Sequence, residues 1–191
     1  MRYTVVILSI LLGFSSCTKS NRKQRDVRKL SWYEVHADGK GKTLRLMVKS
    51  EFLEQRQIEA AEVSKKLNEQ TGINIQWIGA SKEAIIDSVQ KSTTVSLVEL
   101  QGEALFKAVK QEYLLGPIDR LIPNSKSYDT DSDKFRASEG FSAQGFAVPC
   151  VICAADSAGN KPFFAIPSAA ESQAAAMIFL DYMLAARAGR E

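Results

Sequence analysis

Beyond Lys42 the chain alternates between short apolar runs and longer amphipathic stripes. TLRLMVK (Thr43–Lys49) switches between apolar and polar side chains with the period of a strand. Residues 51–70 carry Phe52, Leu53, Ile58, Ala61, Val63 and Leu67 at helical spacing, with Ser50 placed to cap the helix and Gly72 to follow its end. INIQWIG (Ile73–Gly79) reads as a second strand. Ser81 then caps a helix to Gln90 that turns Ala84, Ile85, Ile86 and Val89 inward. TVSLVEL (Thr94–Leu100) is a third strand, and a helix over residues 102–115 buries Leu105, Phe106, Val109 and Leu114. Strand and helix in strict alternation predict a parallel α/β sheet, because parallel neighbours need a crossover and the crossover is usually a helix.

The polar, turn-rich residues 121–140 predict an irregular surface loop. GFAVPCVIC (Gly145–Cys153) is strand-like, KPFFAIP (Lys161–Pro167) is a short strand, and Ser168 caps a final helix. That helix turns Ala174, Met177, Ile178, Leu180, Tyr182 and Leu184 toward the core. At 191 residues the chain has room for one domain with a sizeable core.

The N-terminus follows other rules. Arg2 precedes an apolar run, Tyr3–Phe14, that is too short to span a bilayer as a mature helix, so residues 1–16 read as a secretory signal. Ser15-Ser16-Cys17 resembles a bacterial lipobox, which implies cleavage before Cys17 and lipidation of its thiol. Ordinary secretion and an uncleaved anchor are the alternatives. Residues 17–41 are polar and basic without a sustained period, as in a lipidated linker, and the domain proper is expected over residues 42–191. Most of the net charge of +3 sits between Lys19 and Lys29, so the body is near neutral and does not read as a nucleic-acid binder. The basic cluster serves either as a solvated leash or as a contact for anionic headgroups.

Candidate chemistry is sparse. The single histidine, His36, lies in the expected linker, so the body lacks a histidine base for Ser or Cys catalysis. Gly39 and Gly41 do not open a helix after a strand and fail as a phosphate loop. Asp129, Asp131 and Asp133 lack the glycine and terminal glutamate of a calcium loop and read as a solvated acidic loop. Cys150 and Cys153 have CxxC spacing, but residues three apart on a strand face opposite ways and no second cysteine pair completes a zinc site. They are expected as structural thiols, with a disulfide as the alternative. No enzyme activity, catalytic residue, metal or cofactor is expected.

Several ordered phrases resemble the extracellular solute-binding proteins of bacterial ABC importers, the spermidine/putrescine-binding group above all. They are NEQTGINIQW (Asn68–Trp77), EYLLGPIDRLIPN (Glu112–Asn124), GFAVPC (Gly145–Cys150) and FFAIPSAAESQAAAMIFLDYMLA (Phe163–Ala185). The resemblance implies a three-layer periplasmic-binding-protein-like lobe, with a mostly parallel sheet and helices on both faces. It implies a periplasmic or cell-surface location, an ABC permease as partner and a small cationic solute as ligand. The family's second lobe would lie near residues 150–162, where only a short segment connects GFAVPC to FFAIP, so the second lobe is expected to be missing.

In doubly wound sheets ligands bind at the C-terminal ends of the strands. The candidate ligand-binding residues there are Lys49, Ser50, Phe52, Ser81, Glu99, Gly102 and Glu103. Against the polyamine binders, Lys49 falls where a tryptophan is usual, Gly102 and Ala104 where serine and tyrosine are, and Phe52 keeps the aromatic character of a tyrosine position. Glu99 and Glu103 would attract a cation and Lys49 would repel one. A one-lobe remnant that contacts an envelope protein and traps no solute is the alternative function.

Overall fold

The structure, a computed structural model, describes residues 25–127, 136–137, 141–142, 145–154 and 161–188. The signal segment, Cys17 and the Asp129–Asp133 run lie outside the described residues.

Regular structure is present before the expected domain start. Asp26 caps a 3-10 turn over Val27–Lys29, its carboxylate accepting from the Arg28 amide. Ser31 and Glu34 then form a reciprocal capping box for α1 (Trp32–Gly39). The linker expectation therefore fails from Val27 on: Val27 and Val35 are buried core residues, and His36 sits on α1 edge-to-face with Trp32. A Cβ on Gly39 would lie 2.5 Å from Ile178 Cδ1 and 3.1 Å from the Ala175 amide, so glycine is what lets α1 touch the C-terminal helix.

β1 (Thr43–Lys49) falls on the predicted residues and alternates buried with half-buried positions. The helix expected over residues 51–70 is divided. A 3-10 turn at Ser50–Phe52 leads into α2 (Leu53–Glu59), and α3 (Ala61–Thr71) begins after a break at Ala60. The break shifts the helical phase: Ile58, expected inward, is 70% exposed, and Arg56 is buried instead. Gly72, in the left-handed region at φ 72°, ends α3 as expected.

β2 (Asn74–Ala80), α4 (Lys82–Lys91) and β3 (Leu97–Leu100) follow, with Ser81 Oγ accepting from the Ala84 amide as the cap of α4. Ala84 itself is exposed. α5 (Gly102–Lys110) stops short of Leu115, because the chain leaves the helix at Glu112 with φ 58°. Two 3-10 turns, at Ile118–Arg120 and Pro123–Ser127, come next, and β4 (Arg136–Ala137) pairs antiparallel with β5 (Phe141–Ser142). β6 (Ala147–Pro149) and β7 (Phe163–Ala165) precede α6 (Gln173–Ala188). Ser168 does not cap α6. Its carbonyl instead accepts from the Gln173 side chain at the helix start.

The main sheet has five strands in the order β2-β1-β3-β7-β6. β2, β1 and β3 are parallel, while β7 runs antiparallel to both β3 and β6, so the sheet is mixed, with β7 alone reversed against the other four strands. β6 and β7 pair as direct neighbours, with Val148 opposite Phe164. Period-two alternation splits the core. Leu44, Leu46, Val48, Leu97 and Phe164 point toward the side covered by α1, α3 and α6. Met47, Val98, Leu100 and Ala165 point toward α4 and α5. Helices therefore lie on both faces, as expected. α6 is buried on every side from Gln173 to Asp181, which exceeds the one-sided stripe read from the sequence.

Candidate functional site

Three parallel strands end on one edge of the sheet, at Lys49, Ala80 and Leu100. The residues that follow them, Ser50, Ser81 and Gln101, start the next turn or helix. Gly79 keeps this edge tight: a Cβ there would come within 3.1 Å of Leu53 and 3.2 Å of Ser50 Oγ.

Lys49 leaves β1 and donates from Nζ to Gln101 Oε1 at 3.2 Å, with Glu51 Oε1 at 4.0 Å. Its ammonium lies 5.6 Å from the centre of the Phe52 ring, and the Arg56 guanidinium lies 5.2 Å from the same ring. Two cations of the protein thus already occupy the aromatic group proposed to hold a cationic ligand.

Arg56 organises the deeper part of this edge. Its side chain, 4% exposed, donates from Nε to Glu99 Oε2 at 3.0 Å and from Nη1 to Glu59 Oε2 at 2.7 Å. Glu59 Oε1 also accepts from Gln55 Nε2 at 2.8 Å and from the Ala154 amide at 2.9 Å. Burial disfavours the Arg56 charge, but the bonds to Glu59 and Glu99 outweigh it and raise the pKa. Burial also pushes Glu59 up, and the Ala154 amide with Arg56 and Gln55 brings it below the ordinary glutamate value.

Glu99 is fully buried, and its Oε1 has no hydrogen-bond partner among the described residues. Arg56 compensates the charge through one oxygen only. The unbonded oxygen carries a desolvation cost of about 1–3 kcal/mol.

The Ala154 amide belongs to the turn that follows β6. There Cys150 and Cys153 form a disulfide with Cα atoms 5.3 Å apart, and the Cys153 amide donates to the Cys150 carbonyl at 3.2 Å. The expectation of two structural thiols is corrected for a definite reason. The strand stops at Pro149, so strand alternation no longer applies and the turn brings both sulfurs to one side.

The edge thus gathers Lys49, Phe52 and Glu99, joined by Arg56, Glu59 and Gln101, which the sequence reading missed. Ser50 stands beside them at the start of its turn. Ser81 is engaged as a helix cap, while Gly102, at φ 53°, and exposed Glu103 open α5 without a side-chain contact to the cluster. A signal for Arg56 existed in its i,i+3 spacing from Glu59, but its burial depended on the break at Ala60. Among the described residues no group of three metal-binding side chains occurs.

This strand order, with helices on both faces and a hairpin returning the chain to a C-terminal helix, was compared with known proteins. No protein-family model and no curated protein matches the chain. Among solved structures, the spermidine/putrescine ABC transporter substrate-binding protein PotD from Streptococcus pneumoniae, crystallised with calcium and HEPES, superposes with a TM-score of 0.52. That match has 11% identity over 75% of this chain and 78% of that one. The fold is periplasmic-binding-protein-like. Two further matches are partial. A spermidine/putrescine ABC transporter protein from Listeria monocytogenes gives TM-score 0.43 at 19% identity, over 56% of this chain and 31% of that one. The maltose-binding periplasmic protein MalE of the same organism, with maltose bound, gives 0.41 at 11%, over 57% and 27%.

Proposed function

We propose that the chain is a solute-binding-protein-like component of an ABC import system, held at the periplasmic or cell-surface side of a membrane through lipidated Cys17. The observation that carries this reading is the fold, a mixed sheet with parallel strands ending on one edge, shared with a polyamine-transporter binding protein. The partner would be an ABC permease, and the ligand would meet the edge formed by Lys49, Ser50, Phe52, Ser81, Gly102 and Glu103. A polyamine is the first ligand to test.

The interior of that edge favours a second reading. Glu99, the carboxylate best placed to meet a cation, is neutralised by Arg56, and Lys49 lies against Phe52. In that reading the domain is a single lobe, its second lobe replaced by the disulfide turn between β6 and β7, and it acts as an envelope interaction protein that traps no solute.

Thermal unfolding with a panel of polyamines, amino acids and small anions separates the two. A true ligand at 100 times its Kd raises stability by about 2.7 kcal/mol. A shift with spermidine or putrescine supports solute delivery. Unmoved curves across the panel leave the interaction reading.

A further inference from the structure

We infer that the outer face of α1 rests on an anionic bilayer surface, so that the domain meets its membrane in a fixed orientation. The inference deepens the membrane anchoring proposed above for Cys17.

The first observation is how early in the chain the described structure joins the core. Val27, Val35 and Gly39 tie the N-terminal turn and α1 into the α6 core, so α1 moves with the domain. Only residues 18–26 separate Cys17 from Val27, and nine residues reach at most about 30 Å in any conformation. A domain of this size is about 40 Å across. The tether is shorter than the domain, so the α1 side is kept next to the lipid. With a linker running to residue 41 the domain would have no preferred side.

The second observation is what α1 exposes. Opposite its buried stripe stand Tyr33, which is 83% exposed, then Ala37 and Lys40. Exposed tyrosine suits the headgroup region, where its ring is apolar and its hydroxyl stays wet. Residues 18–42 hold eight Lys and Arg against three Asp and Glu, and the rest of the chain holds 17 against 19, so this segment accounts for the whole positive excess. All three acids are engaged: Asp26 with Arg28, Glu34 with Ser31 and Asp38 with Lys42. Lys29 and Lys40 take part in no ion pair among the described residues. An aromatic flanked by uncompensated lysines beside a short tether fits anionic headgroups.

The test uses the full chain without mutation. Lysines are modified with a water-soluble acylating reagent on vesicles of phosphatidylcholine and phosphatidylglycerol in equal parts, and on phosphatidylcholine alone. Lys82, Lys107 and Lys110 lie on α4 and α5, across the sheet from α1, and serve as internal controls. The expected result is several-fold slower modification of Lys29 and Lys40 on the anionic vesicles only, with the controls unchanged and protection lost in about 0.5 M salt. Equal rates at Lys29, Lys40 and the controls on anionic vesicles, or uniform protection of all five, would overturn the inference. Failure to sediment with neutral vesicles counts against the Cys17 anchor alone. A chain with Tyr33→Ser, which keeps both reporter lysines, should lose much of their protection while keeping its melting temperature.

Discussion

The two faces of the sheet are built in different ways. On one, α4 and α5 cover the strands beside them in sequence, and Ile85, Val89, Val98 and Leu105 make a small apolar cluster from local strand–helix units. On the other, α1 and α6 come from opposite ends of the described chain and meet over β1, with α3 beside them. Among the described residues the buried ion pair Arg56–Glu99 lies on this second face, beside the disulfide turn. Local units can be apolar and simple because adjacent elements find one another at low loop-closure cost. A face assembled from distant segments gains from groups that accept one arrangement: an arginine that must meet Glu99, a glycine that fits only against Ile178, and a turn fastened by sulfur.

The sharpest way to break this contrast is at Arg56. Arg56→Ala leaves the buried Glu99 carboxyl without its partner and should cost about 3–5 kcal/mol by chemical denaturation. Arg56→Met with Glu99→Gln should recover much of that loss. Equal destabilisation of the single and double variants would mean that packing, not charge compensation, is what Arg56 supplies. Gly39→Ala drives a methyl into Ile178 and the Ala175 backbone and should cost about 1–3 kcal/mol. Ala84→Gly, on the exposed side of α4, should cost only the helix propensity of about 1 kcal/mol.

Replacing Cys150 and Cys153 by serine opens a four-residue loop and should cost at most about 2 kcal/mol, because so short a loop restricts the unfolded chain little. Exchange of the Ala154 amide should quicken in that variant while amides of α4 stay protected. Glu59→Gln should also cost about 1 kcal/mol near neutral pH. Glu59 has a lowered folded pKa, so its contribution is present above the ordinary glutamate value and is lost as pH falls through the lowered one. Melting temperatures of the parent and Glu59→Gln should therefore converge in acid. A gap that persists there would place the effect outside Glu59 ionisation.

Much of the fold was legible because periodicity is a local property. The alternation in Thr43–Lys49 located β1 to the residue, Ser81 marked its helix cap and Gly72 marked the end of α3. The site was legible only as an edge. Lys49, Phe52 and Glu99 could be assigned to the strand ends by topology, while Arg56 stayed hidden because a single helix over residues 51–70 would turn it to solvent and Ile58 inward. His36, Trp32 and the rest of α1 were read as linker because eight residues give too little periodicity to distinguish a helix from a spacer. Their helix gains its stability from α6, which is far away in sequence.

By itself the sequence determined the alternating α/β order, the Ser81 cap and the basic N-terminal segment, since each depends on side-chain chemistry at fixed short spacings. Tertiary structure alone decided the antiparallel placement of β7, the burial of α6 on all sides, the Arg56–Glu99 pair and the closure of the Cys150–Cys153 bond. These rest on which distant segments meet and on where a helix or strand stops, and neither is set until the core has formed around them.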